Sequence, residues 1–136
     1  MIKADNLMTG DFVTFKDDTT ARIEIVGIIS YDTVHGFING DDVSDEISIE
    51  DLAGISLTPE ILEKNFESKD NPFGFQDYEL GDGFILENRG YRFCLVKRIL
   101  NSRSTFYVCD IHHIHQLQNI LRAVGIETQN ERFLHC

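Results

Sequence analysis

The eleven residues Ser56-Leu57-Thr58-Pro59-Glu60-Ile61-Leu62-Glu63-Lys64-Asn65-Phe66 form the best-defined local signal in the chain, and they divide it into two β-rich parts. Thr58 is an N-cap type whose hydroxyl can accept from a first-turn amide, Pro59 suits the first helical position, and Glu60 complements the positive end of the helix dipole. Leu57 and Leu62 have the spacing of a hydrophobic staple. Asn65 is expected to end the helix in the left-handed conformation, with Phe66 folding back on Ile61. A short capped helix is therefore expected here.

Before this helix the chain reads as sheet. Phe12 to Phe15, Ala21 to Ile29, Val34 to Ile38 and Glu46 to Ile49 gather β-branched and aromatic residues between turn signals, and Ile23/Ile25 and Ile47/Ile49 alternate with polar neighbours. Asn39-Gly40 is a pair that tolerates the positive φ of a hairpin turn, and Gly27 inside an apolar strand marks a bulge or bend. These features predict a curved N-terminal antiparallel sheet, an SH3-like half-barrel, over residues 1–54.

After the helix, residues 67–82 hold Ser68, Lys69, Asp70, Asn71, Pro72, Gly74, Gly81 and Asp82, a density of turn formers that predicts a loop. Phe84 to Glu87, Tyr91 to Ile99 and Thr105 to Cys109 then read as an antiparallel meander, with Tyr91, Phe93 and Leu95 on one face and Arg92, Cys94 and Val96 on the other. Over 112–124, Ile114, Leu117, Leu121 and Val124 make one apolar stripe, while Gln116, Asn119 and Arg122 fall off it. Asp110 is the expected N-cap, and Gly125-Ile126 the expected Schellman ending. A one-stripe helix must bury that stripe, and the meander is the nearest apolar face. The fold class is thus α+β: one domain over 1–136, divided into a β subregion at 1–54 and an α+β subregion at 55–136.

At 136 residues, with 42% hydrophobic and 26% charged residues, the chain has the size and composition for one hydrophobic interior. Twelve Lys and Arg against 23 Asp and Glu give a net charge of −11, which repels phosphate backbones and anionic lipid surfaces. No direct nucleic-acid binding and no membrane association are expected. The opening MIKADNLMTGDF lacks the apolar core of a signal peptide, so a cytoplasmic location is expected, with Cys94, Cys109 and Cys136 reduced.

Three groups of residues compete as a site. Phe66, Phe73, Phe75 and Tyr78 lie in or beside the predicted loop, and aromatic side chains on loops anchor partners or small ligands when they do not simply plug the loop onto the core. His112, His113 and His115, near Cys109 and Asp110 and joined by His135 and Cys136 at the end, concentrate metal-capable side chains. Their spacing aligns no third ligand on either helix face, so capping and packing is the competing role. The acidic run Asp41, Asp42, Asp45, Glu46, Glu50 and Asp51 lacks the spacing of a calcium loop and reads as a solvated turn. No glycine pattern resembles a phosphate loop, and Cys94 and Cys109 lie in strands expected to be half or fully buried, where cysteine behaves as a small apolar group, so no catalytic residue and no cofactor are assigned.

Two segments resemble a family of small uncharacterised proteins from gut Bacteroidales and their phages or mobile elements. Ser56 to Phe66 is similar to the family's LTPEILEKNGF segment. His115-Gln116-Leu117-Gln118-Asn119-Ile120-Leu121 with Gly125-Ile126 is similar to its HQLQNALRLCGI segment, and Asn6 to Val13 to its LRIGDWV opening. The family's glycine after Asn65 is absent here, and residues 67–110 match no family pattern. The resemblance implies a phage or mobile-element origin and, through it, an inhibitor of a host factor. The overall expectation is a non-catalytic accessory protein that acts through a protein partner or by self-association. The alternatives are a small-ligand binder with a pocket near 67–82 and, resting on the histidines, a metal-dependent enzyme.

Overall fold

The computed structural model describes residues 2–99, 101 and 104–126. Over these described residues the fold is α+β, with two open five-stranded antiparallel sheets and two α-helices. The first sheet contains β1 (Phe12–Phe15), β2 (Ile23–Ile28), β3 (Thr33–Ile38), β4 (Asp45–Ser48) and β5 (Leu52–Gly54), in the order β4-β3-β2-β1-β5. After α1 (Pro59–Asn65) come β6 (Ser68–Asp70), β7 (Gln76–Gly81), β8 (Phe84–Asn88), β9 (Phe93–Arg98) and β10 (Thr105–Ile111), in the order β10-β9-β8-β7-β6, and then α2 (Ile114–Ala123).

The bend expected at Gly27 is a register shift between β2 and β3: Ile25 pairs with Gly36 and Gly27 with His35, which leaves Val26 unmatched. Asn39 and Gly40 both take positive φ, 53° and 79°, and the Asp41 amide donates to the Ile38 carbonyl to close the turn.

The interior forms two clusters that share β1. Val13 joins Ile23, Ile25, Val34, Ile47 and Leu52 beneath the first sheet, whereas Phe12 joins Leu62, Tyr78, Leu86, Leu95, Leu117 and Leu121 between the second sheet and the helices. Successive strand residues point to opposite faces, so adjacent side chains of one strand serve both clusters.

Four expectations are corrected. Residues 67–82 are mostly a β-hairpin rather than a loop: Ser68 pairs with Tyr78 and Asp70 with Gln76, 71–75 make its turn, and Asp82 begins the next turn. Tyr78 and Leu80 alternate with exposed or half-exposed neighbours as in a half-buried strand, a two-residue pattern too short to stand out among the turn formers. Asn65 is not left-handed. Its Nδ2 donates to the Ile61 carbonyl at 2.6 Å, so the side chain satisfies a terminal carbonyl that a left-handed residue would otherwise cover. Asp110 lies in β10, and His113 is the residue that precedes α2. The Gln116 Oε1 accepts from the His112 and His113 amides at 2.9 and 3.0 Å, which fixes the helix start three residues later than Asp110 would. Tyr91 lies outside β9 and is 80% exposed, and both faces of β9 are buried at Cys94, Leu95 and Val96.

The Thr58 cap and the helix ending agree with the sequence. The Ile61 amide donates to Thr58 Oγ1 at 3.3 Å. The Ile126 amide donates to Leu121 and the Gly125 amide to Arg122, with Gly125 at φ 79°, the two bonds of a Schellman motif. No helix among the described residues is long and apolar enough to cross a membrane.

Candidate binding site

The most organised exposed surface is a tip made by two turns of the second sheet, 71–75 between β6 and β7 and 89–92 between β8 and β9. Asn71 builds it. Its Oδ1 accepts from the Phe73 and Phe75 amides at 3.0 and 3.1 Å, and its Nδ2 donates to the Asn88 carbonyl at 2.9 Å and to Asp77 Oδ1 at 3.1 Å. One buried amide therefore folds its own turn and ties it to the neighbouring one. Asn88 repeats the device, its Oδ1 accepting from the Gly90 amide at 2.8 Å.

Ring contacts complete the junction. Phe75 lies so close to Gly90, at φ 88°, that a Cβ there would come within 2.6 Å of the ring, so only glycine fits both the backbone and the packing. The Arg89 guanidinium lies 4.9 Å from the Phe73 ring centroid and pairs with Glu87 at 2.8 Å; Arg92 lies 5.4 Å from the Tyr91 ring and pairs with Asp110 at 3.4 Å. Phe73, Phe75 and Tyr91 remain 50%, 44% and 80% exposed although their turns are pinned. Large rings on a rigid support lose little entropy on binding, which is what an anchor requires.

Gly90, Tyr91 and Arg92 also form one wall of a groove of about 390 Å3 whose other wall carries Thr58, Glu60 and His112. Charges behind the tip are tightly organised. Burial raises the Asp77 carboxyl above its ordinary range, Asn71 opposes this, and Glu87 and Glu79 add to it. Burial would also raise Asp110, but hydrogen bonds from Cys94 and Tyr107 and the charge of Arg92 outweigh it and lower that carboxyl. Burial raises the thiols of Cys94 and Cys109, so both stay protonated at neutral pH and neither is an activated nucleophile.

The four aromatic residues singled out from sequence separate. Phe73 and Phe75 sit at the tip. Tyr78 is 1% exposed in the core, which corrects its placement on a loop, and Phe66 packs against the same cluster while its amide closes α1 on Leu62. The three histidines lie in a row around the start of α2, with the His112 and His113 rings edge to face at 6.3 Å. His112 is exposed on the groove; His113 packs over Gly54 and stacks on His115 at 5.6 Å; His115 is buried. Burial, with help from His113, lowers the His115 pKa to about 4, so its ring is uncharged at neutral pH. Among the described residues no three His, Cys, Asp or Glu side chains are grouped to hold a metal ion. His135 and Cys136 lie outside the described residues.

Sequence reading missed Arg89, Tyr91 and Arg92 as part of a site. Asn88-Arg89-Gly90 showed only a turn, and the neighbour that gives those side chains a purpose, the 71–75 turn, is more than a dozen residues away in sequence. Comparison with protein-family models, with curated proteins and with solved structures finds no match to this chain.

Proposed function

We propose that the protein is a small, non-catalytic binding protein that engages a protein partner through the tip formed by Phe73, Phe75 and Tyr91. The observation that carries this reading is the combination of three exposed aromatic rings with turns immobilised by Asn71, Asn88 and Gly90. Arg89 and Arg92, already oriented over those rings, add the side-chain type that accompanies aromatic anchors at the energetic centres of interfaces. The charge of −11 supports a protein rather than a nucleic acid as the partner. On the family resemblance, that partner is a host factor and the protein is its phage- or mobile-element-encoded inhibitor. The bulge at Val26 supports reading the first sheet as a curved, SH3-like scaffold for this role.

The test compares proteins captured from host lysate by the wild type and by a Phe73→Ser/Tyr91→Ser variant with unchanged thermal unfolding. A protein held by the wild type and lost from the variant is expected. An identical captured set from both would remove the tip from the function. A second reading, a small-ligand binder, is favoured by the 390 Å3 groove beside Tyr91 and His112. Native mass of unheated protein distinguishes it by a retained small molecule.

A further inference from the structure

We propose that two copies of this chain associate by antiparallel pairing of their β10 edges, centred on Phe106. β10 ends the order of the second sheet, and Phe106, Tyr107 and Val108 on it are 53%, 54% and 44% exposed. A contiguous apolar run on an open edge is the feature that soluble proteins ordinarily remove, because its backbone groups are free to pair with another chain.

Among the described residues, the ladder shows which backbone groups are open. The Ile99 amide donates to the Ser104 carbonyl, and Thr105, Phe106 and Tyr107 pair in turn with Arg98, Lys97 and Val96. Hydrogen-bonded and non-hydrogen-bonded pairs alternate in an antiparallel ladder. Phe106 therefore turns its N–H and C=O toward β9, while Thr105 and Tyr107 turn theirs outward. A two-fold axis at Phe106 sets Thr105 of each copy opposite Tyr107 of the other, so these four residues can exchange all their outward donors and acceptors. Beyond Tyr107 the β9–β10 register shifts, so the regular edge ends there and Val108 adds an apolar shoulder.

Charge selects this edge over the others. Two chains of net charge −11 repel one another, yet residues 104–109 carry no charge and lie beside Lys97 and Arg98. β4 presents Asp45 and Glu46 after Asp41 and Asp42, β6 is three exposed residues with Lys69 and Asp70, and β5 leads into the Ser56–His113 bridge. Strand pairing alone buries less than the roughly 1,000 Å² of a stable interface. The cleft of about 560 Å3 lined by Gly83, Lys97, Ile99 and Phe106 supplies further contact area on the same edge.

Sedimentation velocity of the full chain tests this. The wild type is expected to sediment at twice the chain mass. Thr105→Pro removes an outward N–H without touching the β9 ladder, and Phe106→Lys sets two cations across the axis. Both are expected at single-chain mass with unchanged far-UV circular dichroism. Phe73→Ser, remote from this edge, is expected to sediment as the wild type, which separates this proposal from the role of the tip. A wild type that sediments as a single chain up to its solubility limit, or a dimer that survives both edge substitutions, overturns the proposal.

Discussion

Arg122 Nη1 lies 2.6 Å from Asp11 Oδ1, an ion pair between residues 111 apart in sequence that fastens the last helix to the entrance of the first sheet. Asp11 is fully buried, and the Met8 amide holds its other oxygen at 2.8 Å. Burial raises its pKa even though Arg122 and the Met8 amide pull it down, so the desolvation cost exceeds what the pair returns. The consequence is asymmetric. Arg122→Met strands a buried carboxylate and is expected to cost about 3 kcal/mol at pH 7, whereas Asp11→Asn is expected to cost about 1 kcal/mol. Because the folded-state pKa of Asp11 lies above the unfolded value, this carboxyl's burial penalty is relieved as pH falls through the folded pKa. The Arg122→Met deficit should therefore shrink on acidification. Urea unfolding of both variants at pH 7 and pH 5 measures it: equal costs for the two variants at pH 7 would refute the asymmetry, and an Arg122→Met cost unchanged at pH 5 would refute its origin in the Asp11 carboxylate.

Gln118 forms a second clamp at the same junction. Its Oε1 accepts from the Phe12 amide at 2.9 Å and its Nε2 donates to the Gly10 carbonyl at 3.1 Å, so a fully buried side chain satisfies two backbone groups at the start of β1. Gln118→Leu keeps the approximate bulk but leaves both groups unpaired. A loss of about 2 to 3 kcal/mol in chemical denaturation is expected. A loss below about 0.5 kcal/mol, the level of an ordinary surface substitution, would mean that water replaces the amide.

These clamps show where sequence reading succeeds and where it stops. The apolar stripe Ile114, Leu117 and Leu121 and the Gly125-Ile126 ending are local patterns, and they place α2 correctly to within a residue or two of its ends. Asn119 and Arg122 fall off that stripe, as a solvated face would. In the fold Asn119 reaches the Asn6 carbonyl and Arg122 reaches Asp11, because α2 lies against β1 as well as against the meander. A helix with two partners needs polar residues on one flank that match particular backbone groups, and the match depends on a segment 106 to 113 residues away. The tip follows the same logic: its turns were legible as turns, but the docking of Phe75 on Gly90 depends on a sheet register that no local pattern encodes.

His115 makes the stability depend on pH in the opposite sense to Asp11. Its folded pKa of about 4 lies below the unfolded value of 6.5, so the unfolded chain binds the proton more tightly. The stabilisation is complete above the unfolded pKa and is lost as pH falls from about 6.5 toward 4. Between pH 7 and pH 5 the expected loss from this residue is about 2 kcal/mol. His115→Leu removes the titrating group and retains bulk. The difference between wild-type and variant unfolding free energies at the two pH values isolates the contribution, and a variant with the wild-type pH dependence would show that His115 does not titrate across this range.

Gly90 links the stability of the tip to its binding role. A Cβ there would come within 2.6 Å of the Phe75 ring, and the residue has φ 88°, so Gly90→Ala introduces both a steric and a backbone penalty, together about 1 to 3 kcal/mol. The cheapest relief moves Phe75 off the turn, since the ring is at the surface and the backbone is not free to shift. Asn71→Ala acts from the other side: it removes the acceptor for the Phe73 and Phe75 amides and the donor to Asn88, freeing the 71–75 turn from its neighbour. Amide hydrogen exchange at 71–75 and 89–92 should accelerate in both variants through local opening, and by more than in β1 and α2, where exchange follows only the change in global stability. If partner capture depends on immobilised rings, both variants lose it although Phe73, Phe75 and Tyr91 are all still present. Full capture with a loosened tip would show that the rings act without this preorganisation.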